Sequence, residues 1–334
     1  MLIKSLREIK LDQANFPIFF WDSYLTTERE LNDKIDLSFF VSESIQAIIV
    51  FSVTKLKIIK KGQLHYSAVD FDGNELCEKL NETFMNEFIE FLNKNSLCDI
   101  LLPPQHFSNS HSIPKKSSFF EMGILYVDIS SNELHKQIGS ENRRQIRIAK
   151  ENGVQILFGN QYFNEFYMLY VDTSRRKNIP YHEKEFFKKQ INRMPNNCLI
   201  GIAKVEGIIQ AGVFDWVDNK FSYSLYSCTA EKLRFKGIKK HLIFSEYEYL
   251  EQIGVQKYYF GGNRPLLSKG SDLWKIQDFK RSMGAKIQKG YHFIYVFSPI
   301  KYAVFQILLT IKSKILGKNQ MLFNTEGLKI EKNN

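Results

Sequence analysis

Lys257-Tyr258-Tyr259-Phe260-Gly261-Gly262-Asn263 reads as an aromatic strand that runs into two glycines. Aromatic residues beside Val255 favour a buried strand, and paired glycines permit backbone angles and a close ligand approach that a side chain forbids. The stretch is therefore a strand end of the kind that borders a site. The residues before it have strand periodicity: 198–205, a Glu206-Gly207 turn, 208–217, an Asp218-Asn219 turn, and 221–229, which together make a meander. An amphipathic helix over 238–253 joins the meander to the aromatic strand. A helix over 272–283 and a last strand over 286–297 follow it.

The chain has 334 residues, enough for one large core or two ordinary ones, and two domains are the better expectation. With 44% hydrophobic and 25% charged residues, neither a disordered nor a membrane-spanning class fits. A net charge of +10 points to an anionic partner such as RNA, a nucleotide-linked substrate, coenzyme A or a lipid headgroup, although lysine-rich proteins without one are common. Cys77, Cys98, Cys198 and Cys228 lie far apart and at no zinc-site spacing, which fits a reducing cytosol. No metal is expected: His106 and His111 flank a Ser/Asn-rich loop and read as solvated turn residues.

Towards the N-terminus, 16–21 is an apolar strand or an anchor on the core, and 27–31 a short polar helix or loop. Residues 36–59 carry β-branched and aromatic runs that predict antiparallel strands, with Lys60-Lys61-Gly62 as a turn. Phe84, Phe88, Phe91 and Leu92 then recur at helical spacing, and 98–102 returns as a strand stopped by Pro103-Pro104. Helix, strand and abrupt stop recur at 247–262, a weak sign of internal duplication. Asp70 and Asp72 face a cleft or form an Asp-Gly turn. Ser130 and Glu133 are spaced as a capping box, and the domain boundary falls near them.

Four pieces of the second half carry a resemblance. They are Ser140-Glu141-Asn142-Arg143-Arg144-Gln145-Ile146-Arg147 with Ala149-Lys150 and Gly153-Val154; Thr173-Ser174-Arg175-Arg176; Tyr258-Tyr259-Phe260-Gly261-Gly262; and Phe279-Lys280 with Gly284. Together with the order of elements they resemble the acyltransferase domain of the Fem family, within the GNAT superfamily, over residues 139–297. The resemblance implies an α/β (α+β) chain of two GNAT-like domains, each a mixed, largely antiparallel sheet flanked by helices. These are residues 1–130 and 131–298, with a C-terminal amphipathic helix and tail over 299–334. It also implies transfer of an acyl or aminoacyl group from acyl-coenzyme A or aminoacyl-tRNA to an amine of a cell-envelope or polysaccharide precursor, peptidoglycan among them. Such a protein works in the cytoplasm or at the inner face of the membrane, with no permanently bound cofactor. The family usually carries an acidic residue where this chain has Tyr259.

Arg234-Phe235-Lys236-Gly237-Ile238-Lys239 is a partial match to the superfamily's pyrophosphate loop, R/Q-x-x-G-x-G/A, without the last small residue. Backbone N–H groups at a helix N-terminus, with the helix dipole, hold phosphate there, and Lys232 and Lys240 add charge. Arg234, Lys236, Gly237, Ile238 and Lys239 are thus the donor-binding candidates. Asp215, Tyr226 and His182 are candidate acid or base groups, with ordinary strand roles equally open for Asp215 and Tyr226.

For substrate, Arg143, Arg147 and Lys150 share one helical face, which either binds phosphates or is simply solvated. Arg175, Arg176 and Lys177 stand in a loop, 172–180, that faces solvent or an anion. Gly261, Gly262, Asn263 and Lys269 border a loop able to approach substrate, and Lys280 resembles the lysine of the family's F-K segment. The helix beginning at Ile300, rich in apolar residues and followed by Lys312, Lys314 and Lys318, is too short and broken to span a bilayer; it rests on a membrane or packs on the protein, with a frayed tail beyond Gly317. The competing function is a non-catalytic RNA- or membrane-binding protein on the same fold.

Overall fold

The computed structural model describes residues 1–104, 107–110, 112–130, 134–316 and 329–333. His106, His111, Glu133 and the stretch directly after Gly317 lie outside the described residues. The chain begins with β1 (Leu2–Ile3), α1 (Asp22–Leu31), β2 (Ile35–Ser42), β3 (Ala47–Lys55), β4 (Lys60–Leu64) and β5 (Val69–Asp70). It continues with α2 (Glu78–Lys94), β6 (Ile100–Leu102), β7 (Ser118–Glu121) and β8 (Gly123–Asp128). The middle holds α3 (Leu134–Gln137), α4 (Ser140–Glu151), β9 (Gln155–Phe158), α5 (Phe163–Arg176) and α6 (Lys184–Arg193). The meander is β10 (Cys198–Val205), β11 (Ile208–Val217) and β12 (Phe221–Thr229), followed by α7 (Ile238–Gln252) and β13 (Lys257–Asn263). The chain ends with α8 (Asp272–Ser282), β14 (Lys286–Gln288), β15 (Tyr291–Val296), α9 (Pro299–Leu316) and β16 (Glu331–Lys332).

The first compact unit is Met1–Ile124, Gly262–Trp274 and Gln288–Asn334. Its sheet runs β1-β2-β3-β4-β6-β15-β7-β16, with β5 beside β3. β2, β3 and β4 are antiparallel, and β6 returns parallel to β4. The crossover helix is α2, whose Phe84, Phe88 and Leu92 pack with Phe40, Phe51 and Leu64. Ile18, Phe19 and Phe20 form a short 3-10 turn with Phe16 just before it, all four side chains buried, the anchor rather than the strand. Lys60-Lys61-Gly62 is strand and not turn, because pairing with both β3 and β6 outweighs its turn-like composition. Asp70 accepts the N–H groups of Asp72 (2.9 Å) and Asn74 (2.8 Å), a turn role. The expected frayed tail contains β16, which pairs with β7.

The second unit is Leu125–Gly261 and Lys275–Ile287, and the sheet built on it runs β14-β8-β13-β12-β11-β10-β9. Here too three antiparallel strands lead through a helix to a parallel strand, so the internal duplication is real. The strand expected over 286–297 is two strands, β14 and β15, broken at Lys289-Gly290 and placed in different sheets. On one face of the sheet α7 buries Ile243, Tyr247 and Leu250 against Val217 and Tyr258. On the other, Phe166 of α5 and Phe187 of α6 meet Phe214. α4 lies on α7: a Cβ on Gly237 would collide with the carbonyl oxygen of Gln145, and Gly237 has φ +98°.

The register of β11 and β12 shifts between Phe214↔Tyr226 and Asp215↔Ser224, leaving Leu225 as the extra residue of a bulge. The bulge sends Tyr226 to the face of Phe214 and leaves Ser224 on the face of Asp215. Asp215 is fully buried there with Glu246 of α7, which accepts a hydrogen bond from the Tyr258 hydroxyl at 3.2 Å. The Ser224 hydroxyl and the Leu225 N–H face the Asp215 carboxyl without completing well-aligned bonds, and one Glu246 oxygen is also unsatisfied. Burial lifts both acids above the usual carboxylate range, and the charge of Asp215 raises Glu246 further.

Two outcomes follow from this packing. Gly237→Ala should lower the melting temperature more than Gly207→Ala: both have positive φ, but nothing stands within 4 Å of a Cβ at Gly207. Strain alone costs about 1 kcal/mol or more, and the collision at Gly237 adds to it. For the acid pair, raised folded-state pKa values mean that the native state binds more protons than the unfolded one, so stability falls as pH rises from about 4 through neutrality. Glu246→Gln keeps the shape without that titration, and thermal melts across this range should show a flatter pH dependence for the variant.

Candidate functional site

In the second unit β12 and β13 pair only at Phe221↔Lys257, Ser222↔Tyr258 and Tyr223↔Tyr259, and past these the strands part. Cations gather where they separate. Lys280, on α8, donates to the Phe260 carbonyl at 2.7 Å. Lys239, in the first turn of α7, has its Nζ 4.9 Å from the centre of the Phe279 ring. Burial pushes both ammonium groups down to about 8; Lys239 adds repulsion at Lys280, and Lys177 does so at Lys239, partly opposed by Cys228. Among the described residues neither lysine has a carboxylate partner within ion-pair distance. Two partly buried, uncompensated ammonium groups side by side favour an anion: a phosphate, a carboxylate or an oxygen gaining charge.

Of the other donor-binding candidates, Arg234 pairs with Glu206 of the β10–β11 turn, and its N–H donates to the Gln210 side chain at 3.1 Å. Lys236 is exposed, Ile238 is fully buried and Gly237 packs on α4. Lys240 reaches the Gln145 side chain at 2.9 Å, tying the start of α7 to α4. The loop therefore contributes Lys239 to the cation pair and otherwise fastens α7. A negative side chain at Gly237 would test packing before it tested phosphate binding.

The arginines of α4 and α5 have partners. Arg143 donates to the carbonyls of His135 (3.0 Å) and Ile138 (2.6 Å), Arg144 pairs with Glu141 at 2.8 Å, and Arg147 faces Glu151 at 3.6 Å. Residues 172–176 are the last turn of α5 and not a loop. Arg175 lies over the Tyr181 ring at 5.7 Å. Arg176 pairs with Asp172 at 2.9 Å and donates to the Thr229 carbonyl, which the Thr173 hydroxyl also reaches at 2.9 Å. Thr173 and Arg176 thus clamp the far end of β12.

The three acid–base candidates do not form one site. His182 stacks on Phe186 at 3.8 Å and lies 5.8 Å from the Tyr226 ring, and partial burial lowers its pKa. Asp215 is on the opposite face of the sheet, sealed in the core. Glu246, its partner, was missed in the sequence although the signal was present: an acid on the apolar stripe of Ile243, Tyr247 and Leu250. At the glycine turn it is Gly261 that has positive φ, at +86°. Gly262 does not; the space a Cβ would take there is filled by the Met122 methyl, not left open for substrate. Gly262, buried Asn263 and exposed Lys269 belong to the first unit.

Residues 72–207 match the FemAB family, a span that contains the α4 and α5 pieces and stops before Phe260 and Lys280. No curated protein matches the sequence. Among solved structures the chain resembles FemX, with a TM-score of 0.69 at 12% identity over 92% of this chain and 99% of that one. It also resembles the C-terminal domain of a putative lysylphosphatidylglycerol synthetase from Agrobacterium fabrum, with a TM-score of 0.53 at 14% identity over 82% and 89% of the two chains. The L-PGS of Bacillus licheniformis is similar at a TM-score of 0.52 and 15% identity, over 83% and 88%. The FemAB match thus covers residues 72–207, and the chain as a whole is similar in fold to FemX.

Proposed function

We propose that the protein transfers an aminoacyl group from tRNA to an amine of a peptidoglycan precursor, with Lys239 and Lys280 receiving the anionic part of the donor and the oxygen that gains charge. The observation that carries this reading is the uncompensated lysine pair at the parting of β12 and β13 in a Fem-type fold. The FemAB match favours tRNA over acyl-coenzyme A as donor. A net charge of +10 suits a partner as large and negative as RNA.

In the reaction, the lone pair of a neutral acceptor amine attacks the ester carbonyl. The C–N bond forms, the C–O bond to the ribose breaks, and the amine proton passes, directly or through a water, to the ribose oxygen, which leaves as a hydroxyl. No covalent enzyme intermediate is needed. Lys280, already fixed on the Phe260 carbonyl, supplies a positioned cation that costs little reorganisation when charge develops. Lys239 adds attraction for a phosphate or carboxylate beside it. Asp215 has no part in the chemistry, since its carboxyl is fully enclosed.

The deciding experiment incubates the protein with charged tRNAs, acyl-coenzyme A species and amino-sugar or peptidoglycan precursors, and reads mass shifts. A product heavier by one aminoacyl residue is expected. Turnover with acyl-coenzyme A instead would move the donor assignment, and salt-sensitive RNA binding with no turnover would favour a non-catalytic role. Lys280→Met should lower single-turnover transfer about 100-fold in a folded protein, the magnitude typical of losing one oxyanion donor. An unchanged rate would remove this site.

The same lysines set a pH dependence. Donor affinity should fall as pH rises through about 8, where the ammonium groups lose their protons. The stability of the free protein should move the other way. A folded-state value of about 8 against the ordinary 10.5 means that the unfolded chain binds more protons between those limits, so stability rises across that window. Fluorescence titration of donor and thermal melts at matched ionic strength check both signs.

A further inference from the structure

We propose that α9 docks the protein on an anionic lipid surface, laying the stripe Ile300, Val304, Ile307, Leu308 and Ile311 into the interface between headgroups and acyl chains. Two faces of this helix are apolar. Tyr302 and Phe305 pack on Ile59, Ile100, Leu102 and Ile294 of the first unit. The proposed stripe is left in water: Ile300 is 81% exposed and Ile307 58%, with Val304, Leu308 and Ile311 each above 40%. Those positions recur at i, i+4, i+7, i+8 and i+11, the spacing of one helical face. Contiguous apolar surface of this kind marks a docking site more often than an idle one.

Charge identifies the occupant. Residues 299–318 contain no Asp or Glu and four lysines, Lys301, Lys312, Lys314 and Lys318, of which Lys301 is paired with Asp99 at 2.9 Å. The hairpin between β3 and β4 repeats the combination: Leu56 and Ile58 are exposed between Lys55, Lys57, Lys60 and Lys61, and Ile59 of the same hairpin packs in the cluster that holds Tyr302 and Phe305. A second copy of this chain would bring lysines against lysines. Anionic headgroups complement them, and long lysine stems reach the interface while apolar side chains enter it. Among the described residues no helix is long and apolar enough to cross a membrane, so α9 lies along the surface. This inference rests on exposure and charge alone and does not depend on the transfer reaction.

The test is co-sedimentation of the full chain with phosphatidylcholine vesicles, with and without phosphatidylglycerol, at low and high salt. Binding to the phosphatidylglycerol vesicles, weakened by salt, is expected. Ile307→Glu with Leu308→Glu should reduce it at least about tenfold while circular dichroism and the melting temperature stay unchanged, since burying a charge in the interface opposes insertion. Met168→Glu, a control at a residue 73% exposed on α5, should bind as the parent does. Absence of binding at low salt, or a double-glutamate variant that binds normally, overturns the proposal. So does a concentration-dependent dimer in light scattering that the double variant abolishes, because a second copy then covers the face. Transfer measured in solution with a soluble acceptor should be equal in parent and double variant, which keeps this result separate from the enzymatic one.

Discussion

Parallel pairing of β12 with β13 ends at Tyr223 and Tyr259, and much of the second unit is arranged around the backbone groups that this leaves without a ladder. Both strands contribute to the parting: β12 has its bulge at Leu225, and β13 turns at Gly261 through a positive φ. Backbone polar groups out of water need partners. Lys280 supplies one to Phe260, while Thr173 and Arg176 supply two to Thr229. The cations beside the opening thus have a structural task as well as the chemical one proposed for them. The same geometry that satisfies the strand ends also holds two ammonium groups next to each other.

The first unit shows what the duplicated order of elements looks like without that opening. β4 and β6 pair over Lys61 to Gln63 and Ile100 to Leu102. Past them the Gln63 side chain donates to the carbonyls of Leu64 and Pro103, and Pro103 and Pro104 are buried. Among the described residues no ammonium group takes the place that Lys280 holds on Phe260. One strand end is closed by an amide and two prolines, the other is left apart and positive. That difference is why the proposed chemistry is assigned to the second unit.

How much of this was legible in the sequence depended on whether the cause was local. The meander, the crossover helices and the aromatic strand were readable because their periodicity is carried by neighbouring residues. The Lys60–Gly62 strand was not, since its pairing partners lie elsewhere in the chain and its composition is that of a turn. Cations in the site were visible as charges, but only the fold separates half-buried Lys239 and Lys280 from Arg143, Arg147, Arg175 and Arg176, which are exposed. Asp215 was readable as an acid near the cleft. Its enclosure is set by the bulge and by Glu246, neither of which has a signal at Asp215 itself.

The route of the chain through its first sheet bears on how the protein is made. β6 and β7 both pair with β15, which lies after the entire second unit in sequence. During synthesis the early strands must therefore wait, with one ladder edge open, until the ribosome has delivered residues beyond 290. The second sheet needs β14, which is made only a few residues earlier. Neither half can finish before the other is nearly complete. Such long-range closure slows folding and ties the two halves to one birth, so a nascent chain halted midway presents unpaired strand to chaperones rather than a finished domain.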